Sequence, residues 1–346
     1  MAGHKVALIT DTHFGVRKGS QIFHDYFEKF YAETFFPSLV ERGIRTVIHL
    51  GDSFDVRKSI DYWSLDWAKR VFFNPLRDLG IDLHIIVGNH DIYYKNSLQL
   101  NAINANLNEY DNIAIYNTPS TANIEGTPIF MVPWICEQNA DRFVDQLGKT
   151  NAATCMGHLE LAGFYANQNY ECQHGTNPDV FNKFDRVFSG HFHKKSKRGN
   201  ITYLGNAYQL YWNDVNEERG FHFYDLDTGE LEFIANPNVM FHKIYYNEDK
   251  KKLYNPNHYK DAYINIIVEK STPDKLATLV DGLYRVGVHD VKIIESQNLS
   301  IDDDIEIESE DTLTTFTKYV LAMDEEYDKQ GIIDVFKSLY VEAQEV

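Results

Sequence analysis

Residues 46–55 read Thr-Val-Ile-His-Leu-Gly-Asp-Ser-Phe-Asp, an apolar run that ends in a glycine and two carboxylates. The β-branched residues at its start are typical of a buried strand, and Gly51 permits a tight turn directly after it. Four other short polar fragments follow strand-like runs in the same way: Asp11-Thr12-His13, Gly88-Asn89-His90-Asp91, Gly157-His158 and Gly190-His191-Phe192-His193. The chain therefore places its chemically active residue types at the ends of predicted strands.

Helical and strand-like segments alternate along the first half of the chain. Residues 21–41 and 63–79 have apolar residues at helical spacing, and they separate three strand-like runs at 6–9, 46–50 and 83–87. Such alternation predicts a largely parallel sheet with helical crossovers. Further buried strands are predicted at 129–132, 152–156 and 186–188, and hairpins between 201 and 234. We expect an α/β fold in which a two-sheet β-sandwich is flanked by helices.

The rest of the chain predicts smaller units after a main domain over residues 1–245. Residues 255–298 have a β-α-β pattern and predict a small α+β domain. Acidic residues crowd 299–311, which reads as a linker. Residues 312–346 carry two short amphipathic stripes and predict a C-terminal helical tail. These helices can pack on the protein's own core or dock onto a partner, and the acidic tether favours docking.

The composition limits the classes of protein that the chain can represent. Hydrophobic residues make up 43% and charged residues 24% of 346 residues, which is typical of a globular protein. No run approaches the roughly 20 apolar residues of a membrane span. Three cysteines without a CxxC pair predict reduced thiols and a cytoplasmic location. The net charge of −18 argues against binding a polyanion through a broad basic surface.

The polar fragments contain enough ligands for two divalent cations. They supply two carboxylates, one amide oxygen and four imidazoles, from Asp11, His13, Asp52, Asn89, His158, His191 and His193. The carboxyl ends of strands in an open α/β sheet meet at one crevice, so these side chains can converge there. A mixed oxygen and nitrogen shell suits manganese, iron or zinc. Two such ions about 3.5–4 Å apart can clamp a phosphate and activate water.

Other residues of the fragments predict roles in proton transfer and phosphate binding. His90 stands apart from the ligands because Asn89 already offers an oxygen, and an imidazole can protonate a leaving alcohol. We expect Asp91 to orient the His90 ring or to hold its charge. Cationic side chains directly follow two fragments and form either a phosphate-positioning patch or a solvated rim, and neither reading is favoured: Arg57, Lys58, Lys194 and Lys195.

Three stretches carry a family resemblance: residues 51–58, 87–91 and 189–193. They resemble the calcineurin-like metallophosphoesterase superfamily, and within it the SbcD-type DNA repair nucleases, above all the recombination nuclease subunits of T-even phages. The resemblance runs along nearly the whole chain. It implies the calcineurin-like phosphoesterase fold, with residues 255–298 as a capping and DNA-binding domain.

The resemblance also implies roles for individual residues. One metal would be held by Asp11, His13, Asp52 and His193, and the other by Asp52, Asn89, His158 and His191. His90 would be catalytic, and the ions would be Mn²⁺, with Mg²⁺ as an alternative. The family resemblance implies 3′-to-5′ exonuclease action on duplex DNA ends and endonuclease action on single strands. It further implies a homodimer, an SbcC-type coiled-coil ATPase bound by the C-terminal helices, and the host cytoplasm if a phage encodes the chain.

One departure from the family pattern concerns Asp55, which stands where many relatives carry a second catalytic histidine. A carboxylate donates protons less readily near neutral pH, so cleavage rate or polarity is in question at this position. Two alternatives stay open. The same scaffold can serve a small-substrate phosphomonoesterase or a cyclic-nucleotide phosphodiesterase, and a third reading is a non-catalytic scaffold that binds DNA ends.

Overall fold

The structure is a computed structural model that describes residues 4–165, 171–250 and 254–295, together with residues 320, 329, 330, 332 and 335. Residues 1–298 form one compact unit, and residues 299–346 form a second. The five described residues of the second unit are helical. The predicted acidic linker over 299–311 and most of the predicted helical tail lie outside the described residues.

The described part of the first unit contains seventeen strands and eight α-helices. The strands are β1 (Lys5–Ile9), β2 (Thr46–His49), β3 (Asp82–Ile86), β4 (Ile92–Tyr94), β5 (Ser97–Asn101), β6 (Ile113–Tyr116), β7 (Ser120–Ile124), β8 (Thr127–Val132), β9 (Thr154–His158), β10 (Arg186–Gly190), β11 (Ser196–Arg198), β12 (Ile201–Tyr203), β13 (Gly220–Asp225), β14 (Leu231–Ala235), β15 (Phe241–Asn247), β16 (Tyr263–Lys270) and β17 (Asp290–Glu295). The helices are α1 (Val16–Gly19), α2 (Gln21–Phe30), α3 (Phe36–Glu41), α4 (Tyr62–Ala68), α5 (Asn74–Asp78), α6 (Ala102–Leu107), α7 (Ala140–Lys149) and α8 (Pro273–Arg285).

Two six-stranded sheets form the body of the first unit. One has the strand order β14-β13-β1-β2-β3-β6, and the other has the order β11-β12-β10-β9-β8-β7. The strands β1, β2, β3 and β6 run parallel to one another, as do β8, β9, β10 and β12. The parallel sheet predicted from the alternation of segments is therefore confirmed.

The sheets pack face to face because their side chains alternate between two apolar layers. In β1, Val6 and Leu8 point to an interior layer that also contains Met131 and Met156 of the other sheet. Ala7 and Ile9 point the opposite way, into a layer shared with helices α2 to α6. A third apolar layer covers the outer face of the second sheet beneath α7. The structure is the helix-flanked β-sandwich predicted from the sequence.

The two predicted long helices form with short π-helical turns inside them. α2 passes through a π-helical turn at Tyr31–Phe35 into α3, and α4 passes through one at Lys69–Phe73 into α5. α2 buries Phe23, Phe27 and Phe30 at i, i+4 and i+7, and the Phe27 ring stacks on Tyr208 with centroids 3.7 Å apart. These packed helices fix the first sheet from outside.

A smaller, all-parallel sheet of β15, β16 and β17 lies at the end of the first unit, with its own apolar cluster beneath α8. Pro273 starts α8, where its missing N–H is not needed. The sequence predicts β16, α8 and β17, but residue 245, the predicted end of the main domain, falls inside β15. No helix within the described residues is both long enough and apolar enough to span a membrane.

Candidate metal centre

All seven predicted ligands lie at the carboxyl ends of parallel strands, and they come from both sheets. Asp11 and His13 follow β1, Asp52 follows β2, Asn89 follows β3, His158 ends β9, and His191 and His193 follow β10. The main chain keeps these loops side by side, since Asp11 N–H donates to the Gly51 carbonyl over 3.0 Å and His13 N–H to the Asp52 carbonyl over 3.1 Å. The strand ends therefore converge as the sequence predicts.

Two glycines allow the close approach of neighbouring ligands. A Cβ at Gly88 would lie 2.2 Å from Oδ1 of Asp52, and a Cβ at Gly51 would lie 2.5 Å from Nδ1 of His158. Both distances are shorter than any real Cβ contact, so no other residue fits at either position. Gly51 also has a φ of 97°, which favours glycine for a second reason.

The main chain at the candidate ligands is in an uncommon conformation. Asp11, His13, Asp52 and His191 have φ values of 53°, 44°, 54° and 86°. Non-glycine residues with positive φ are rare, and each costs on the order of 1–3 kcal/mol unless its surroundings impose it. Four of the nine non-glycine residues with positive φ in the described chain are therefore ligand candidates, and such strained residues cluster at functional sites.

Asp11, His13 and His193 form a first group whose ligand atoms lie within reach of one cation. Nε2 of His13 lies 3.2 Å from Nε2 of His193, and Nε2 of His193 lies 4.0 Å from Oδ1 of Asp11. Asp11 and His13 are fully buried. Two ring nitrogens aimed at one another beside a buried carboxylate can share one metal ion.

Asp52, His158 and His191 form a second such group, and Asn89 joins it. Nε2 of His158 lies 3.2 Å from Oδ2 of Asp52 and 2.9 Å from Oδ1 of Asn89. Nδ1 of His191 lies 3.0 Å from the same Asn89 oxygen. The outer nitrogen of His158, Nδ1, lies 2.7 Å from the Leu50 carbonyl, which fixes the ring with Nε2 turned toward the group.

The electrostatics of the second group suit a divalent cation. Burial opposes ionisation of Asp52, but His158 and other histidines outweigh it and hold the pKa of Asp52 well below its usual range. Burial likewise opposes a charge on His158, yet Asp52 raises the pKa of that ring to about 9. Without a cation the two side chains therefore form a buried ion pair. A divalent cation would take the place of the His158 proton as the positive charge.

Asp55 and His90 lie beside the first group. Oδ1 of Asp55 lies 3.2 Å from Nδ1 of His13, and the main-chain carbonyl of Asp55 lies 2.6 Å from Nδ1 of His90. A carbonyl only accepts, so Nδ1 of His90 carries the hydrogen of that bond. The His90 ring meets the His13 ring edge-on, with centroids 4.9 Å apart. Asp55 thus contacts both His13, a candidate ligand, and His90, the candidate general acid.

Asp91 differs from its predicted role. Its carboxylate accepts four main-chain N–H groups, from Gly88, Asp52, Ser53 and Phe54, over 2.9–3.1 Å. Burial and the nearby Asp52 charge raise the pKa of Asp91, and the N–H donors oppose that rise. The expectation that Asp91 orients His90 is replaced: the ring is held by the Asp55 carbonyl, and Asp91 ties the two ligand loops together.

The four cations predicted at the rim have different surroundings. Lys194 lies 3.7 Å from Glu217, and Lys195 lies 3.5 Å from Glu218 and packs on the Phe233 ring. Lys58 is exposed and lies 5.8 Å from the centroid of the Tyr93 ring, while Arg57 is half-buried. Each of the two lysines after His193 therefore has a glutamate as a neighbour.

The structure adds residues that the sequence did not single out. Buried Arg219 donates to the main-chain carbonyl of His193 and, over 2.8 Å, to Asp214. Oε1 of Glu160 lies 3.6 Å from Nε2 of His191, on the far side of that ring from Asn89. Glu160 stands two residues after His158, the same spacing as Asp11 and His13, which is a signal available in the sequence. Arg219 has no such signal.

The fold and these two groups of candidate ligands are typical of a metallophosphoesterase. Comparison with protein families matches residues 4–195 to "Calcineurin-like phosphoesterase", and the chain belongs to this family, whose members use divalent metals. Among curated proteins, "Exonuclease subunit 1" of Enterobacteria phage T4 is 34% identical over 308 residues, covering 88% of this chain and 89% of that protein. A solved structure described as a novel archaeal phosphodiesterase has 13% identity, covers 67% of this chain and 99% of its own, and has a TM-score of 0.34, too low to support an argument.

Proposed function

We propose that this protein is a two-metal nuclease that hydrolyses DNA phosphodiesters as the nuclease subunit of an SbcCD-type repair or recombination complex. The observation that carries the proposal is the convergence of seven ligand side chains, from five strand ends, into two neighbouring groups. Family membership supports phosphoester hydrolysis. The name of the phage T4 relative, an exonuclease subunit, supports a nucleic acid as the substrate and work within a complex.

Two divalent cations, Mn²⁺ in the first place with Mg²⁺ as the alternative, fit the residues present. Asp11, His13, Asp52 and His193 would hold one, and Asp52, Asn89, His158 and His191 the other. Imidazoles among the oxygen donors favour Mn²⁺ over a magnesium site built from oxygen alone. When bound, such ions would neutralise the charge on the phosphate and supply activated water for attack on phosphorus.

The chain's own residues would then handle the leaving group. His90 holds its Nδ1 hydrogen on the Asp55 carbonyl, which leaves Nε2 to carry the proton that the leaving oxygen needs. The Asp55 carboxylate on Nδ1 of His13 holds that ring with Nε2 toward the first group, as carboxylates do behind metal-bound histidines. We infer that Asp55 acts as a positioning residue and that it does not replace a second proton donor.

The partners belong to the same proposal. We expect a homodimer and a coiled-coil ATPase of the SbcC type, bound through residues 312–346. The name of the phage relative as one subunit of an exonuclease supports a partner. The segment that would bind it lies largely outside the described residues, so binding must be measured.

The decisive experiment compares substrates. Purified full-length protein with Mn²⁺ should cleave single-stranded DNA and degrade duplex ends from the 3′ side, weakly alone and faster with the ATPase and ATP. Chelation of the metal should abolish cleavage. The matched controls are p-nitrophenyl phosphate and cyclic AMP under the same conditions.

Each alternative function has its own outcome in this experiment. Brisk hydrolysis of p-nitrophenyl phosphate or cyclic AMP with intact DNA would replace the nuclease with a small-substrate phosphoesterase. Binding of DNA ends and metal without hydrolysis of any of these substrates would identify a non-catalytic scaffold.

A further inference from the structure

An acidic protein that cleaves DNA must still hold the phosphates next to the reacting one. Because the net charge is −18, DNA binding depends on where individual lysine and arginine side chains lie near the two groups of candidate metal ligands. Lys194 and Lys195, the cations closest in sequence to His193, are each paired with a glutamate. Two other cations, Arg17 and Lys18, follow the candidate ligands Asp11 and His13 along the chain, and both are exposed.

Residues 15–19, Gly-Val-Arg-Lys-Gly, begin two residues after the candidate ligand His13 and form a tight left-handed turn. Arg17 and Lys18 have φ and ψ of 55° and 41°, and of 57° and 40°, inside the short segment α1. Two consecutive non-glycine residues in this conformation are costly, since each loses on the order of 1 kcal/mol relative to the right-handed form. The turn therefore holds two adjacent cationic residues in a backbone conformation that is intrinsically unfavourable for them.

The surroundings of the left-handed turn hold it rigidly in place. Gly15 N–H donates to Nε2 of buried His24 over 3.3 Å. A Cβ at Gly19 would lie 2.8 Å from Oγ of Ser64 and 2.9 Å from Oδ2 of Asp61, so this end of the turn abuts the start of α4. Such bracing at both ends is what keeps a strained segment in one conformation.

The Arg17 side chain lies close to the metal groups. Its guanidinium carbon lies 5.3 Å from the centroid of the Tyr211 ring, within range for a cation–π contact. The Tyr211 ring is parallel to the His193 ring, at an interplanar angle of 11° and a centroid distance of 6.2 Å. A layered series of Arg17, Tyr211 and His193 therefore leads from the exposed turn to a candidate metal ligand.

Exposed aromatic side chains stand beside the turn. Tyr62 and Trp63 directly follow Asp61, against which Gly19 packs, and their exposed fractions are 91% and 44%. Trp63 also contacts His24, which holds the other end of the turn. Surfaces that bind single strands combine two components: cationic side chains that contact the phosphate backbone, and aromatic rings on which the bases stack.

We propose that the left-handed turn is a phosphate-binding site for the DNA strand, in which Arg17 and Lys18 bind phosphates that flank the reacting one. This inference rests on the proposed nuclease function and adds the residues that hold the substrate. Arg17 contacts phosphate and positions the strand, while the reacting phosphate is left to the metal groups.

The test measures DNA binding and cleavage separately. The Arg17→Ala/Lys18→Ala double variant, with Mn²⁺, should bind a fluorescent single-stranded phosphorothioate oligonucleotide, which resists hydrolysis, about tenfold more weakly than the wild type. The slope of log affinity against log salt should fall by about 0.7 for each phosphate that the variant no longer binds. On cleavable DNA the KM should rise with kcat nearly unchanged. Hydrolysis of bis(p-nitrophenyl) phosphate, which has no flanking phosphates, should be unaltered.

Two further variants make the result specific to the turn. Lys194→Ala removes a cation that is even closer in sequence to a candidate ligand but lies outside the turn, 3.7 Å from Glu217, so it should change affinity less than twofold. Arg17→Lys keeps the charge and should retain most of the salt slope. Unchanged affinity and salt slope in the double variant would overturn the proposal. It would also be overturned if hydrolysis of bis(p-nitrophenyl) phosphate decreased as much as DNA cleavage does, because the turn would then act only by supporting His13.

The failure of this inference can be told from the failure of the proposed function. A wild type that cleaves DNA while the double variant matches it in binding rejects the turn and keeps the nuclease. A wild type that neither binds nor cleaves DNA rejects both.

Discussion

Asp55 illustrates how a single residue can serve two neighbours by different atoms. Its carboxylate lies against His13 and its main-chain carbonyl against His90, at 3.2 Å and 2.6 Å. Replacing the side chain changes the first contact and leaves the second in place. The two roles can therefore be separated by mutation.

Asp55→Asn should weaken Mn²⁺ binding at the first group about 10–100-fold, because the His13 ring loses the carboxylate that orients it and raises its basicity. Calorimetric titration of the apo protein with Mn²⁺ measures this. Asp66→Asn, which alters an exposed carboxylate on α4, is the control and should bind metal as the wild type does. Unchanged metal affinity together with a lower kcat would return Asp55 to a role in proton transfer.

His90→Ala should retain both metal ions but lower kcat about 10²–10⁴-fold, since no other group would protonate the leaving oxygen. Elemental analysis of the purified variant gives its metal content, and steady-state assays give its kcat. A DNA substrate whose leaving group is an activated nitrophenolate should be cleaved nearly normally, because that group needs no proton. Loss of metal from the variant would reassign His90 as a ligand.

At the scale of elements, a buried ion pair between Arg219 and Asp214 holds two segments of the crevice wall, one at His193 and one at Tyr211. The two side chains are each only 5% exposed and lie 2.8 Å apart. Oδ2 of Asp214 accepts the N–H groups of Leu210 and Tyr211 over 2.7 and 3.0 Å. Arg219 also donates to the His193 carbonyl, so the pair connects two segments of the crevice wall.

Arg219→Ala should lower the free energy of unfolding by about 3–5 kcal/mol, because it leaves the Asp214 charge buried without its partner. Guanidinium denaturation of the metal-free protein measures the change. Arg70→Ala breaks the exposed pair with Glu28 and should cost less than about 1 kcal/mol. Equal costs for the two variants would contradict the assigned role of burial.

The elements also show what the sequence could predict. Long periodic segments such as 21–41 formed as predicted, since their apolar spacing alone determines which face is buried. The hairpin of β4 and β5 was not predicted, because it is short and Ser97–Asn101 has no regular apolar alternation. β15 was missed for a related reason: its burial follows no strict period of two, and it forms by pairing along β16.

Some residues of the candidate site could likewise be predicted from the sequence, and others could not. The ligand candidates stand in short fragments whose residue types alone suggest metal binding, so the sequence could nominate them. Arg17 and Arg219 are ordinary charged residues along the chain, and their contacts depend on distances between segments far apart in sequence. Glu160 has only the signal of its spacing from His158. The surroundings of Lys194 and Lys195 could not be predicted either, because Glu217 and Glu218 come close to them only in the folded chain.

At the scale of the whole molecule, every candidate site residue lies in the unit formed by residues 1–298. Removing residues 299–346 should therefore leave Mn²⁺ binding and bis(p-nitrophenyl) phosphate hydrolysis within about twofold of the full chain, while binding of the ATPase should disappear. Sizing chromatography with the partner and a steady-state assay report the two properties. An intact complex would place the docking surface elsewhere, and an abolished basal activity would show that the second unit supports the site.

The stability of the whole chain should also depend on pH through a histidine outside the site. Burial, assisted by the Lys195 charge, lowers the pKa of His222 in β13 to about 3. Its value in the unfolded chain is about 6.5, so between these values the unfolded state binds a proton that the folded state does not. The resulting stability is complete above pH 6.5 and declines as the pH falls toward 3, by at most about 1.4 kcal/mol per pH unit for this group.

His222→Phe removes this titration while keeping an aromatic ring against Phe233, which lies 5.1 Å away. The free energy of unfolding of the metal-free variant should therefore fall less steeply between pH 6.5 and pH 4 than that of the wild type. Denaturation curves at each pH, with EDTA present, give both slopes. Phe233→Leu changes the same contact without changing a titratable group, so it should shift stability by a constant amount at every pH. If the wild type and His222→Phe had equal pH slopes, the folded and unfolded chains would bind the His222 proton equally well. The ring would then be protonated in the folded chain, which would contradict the lowered pKa of His222.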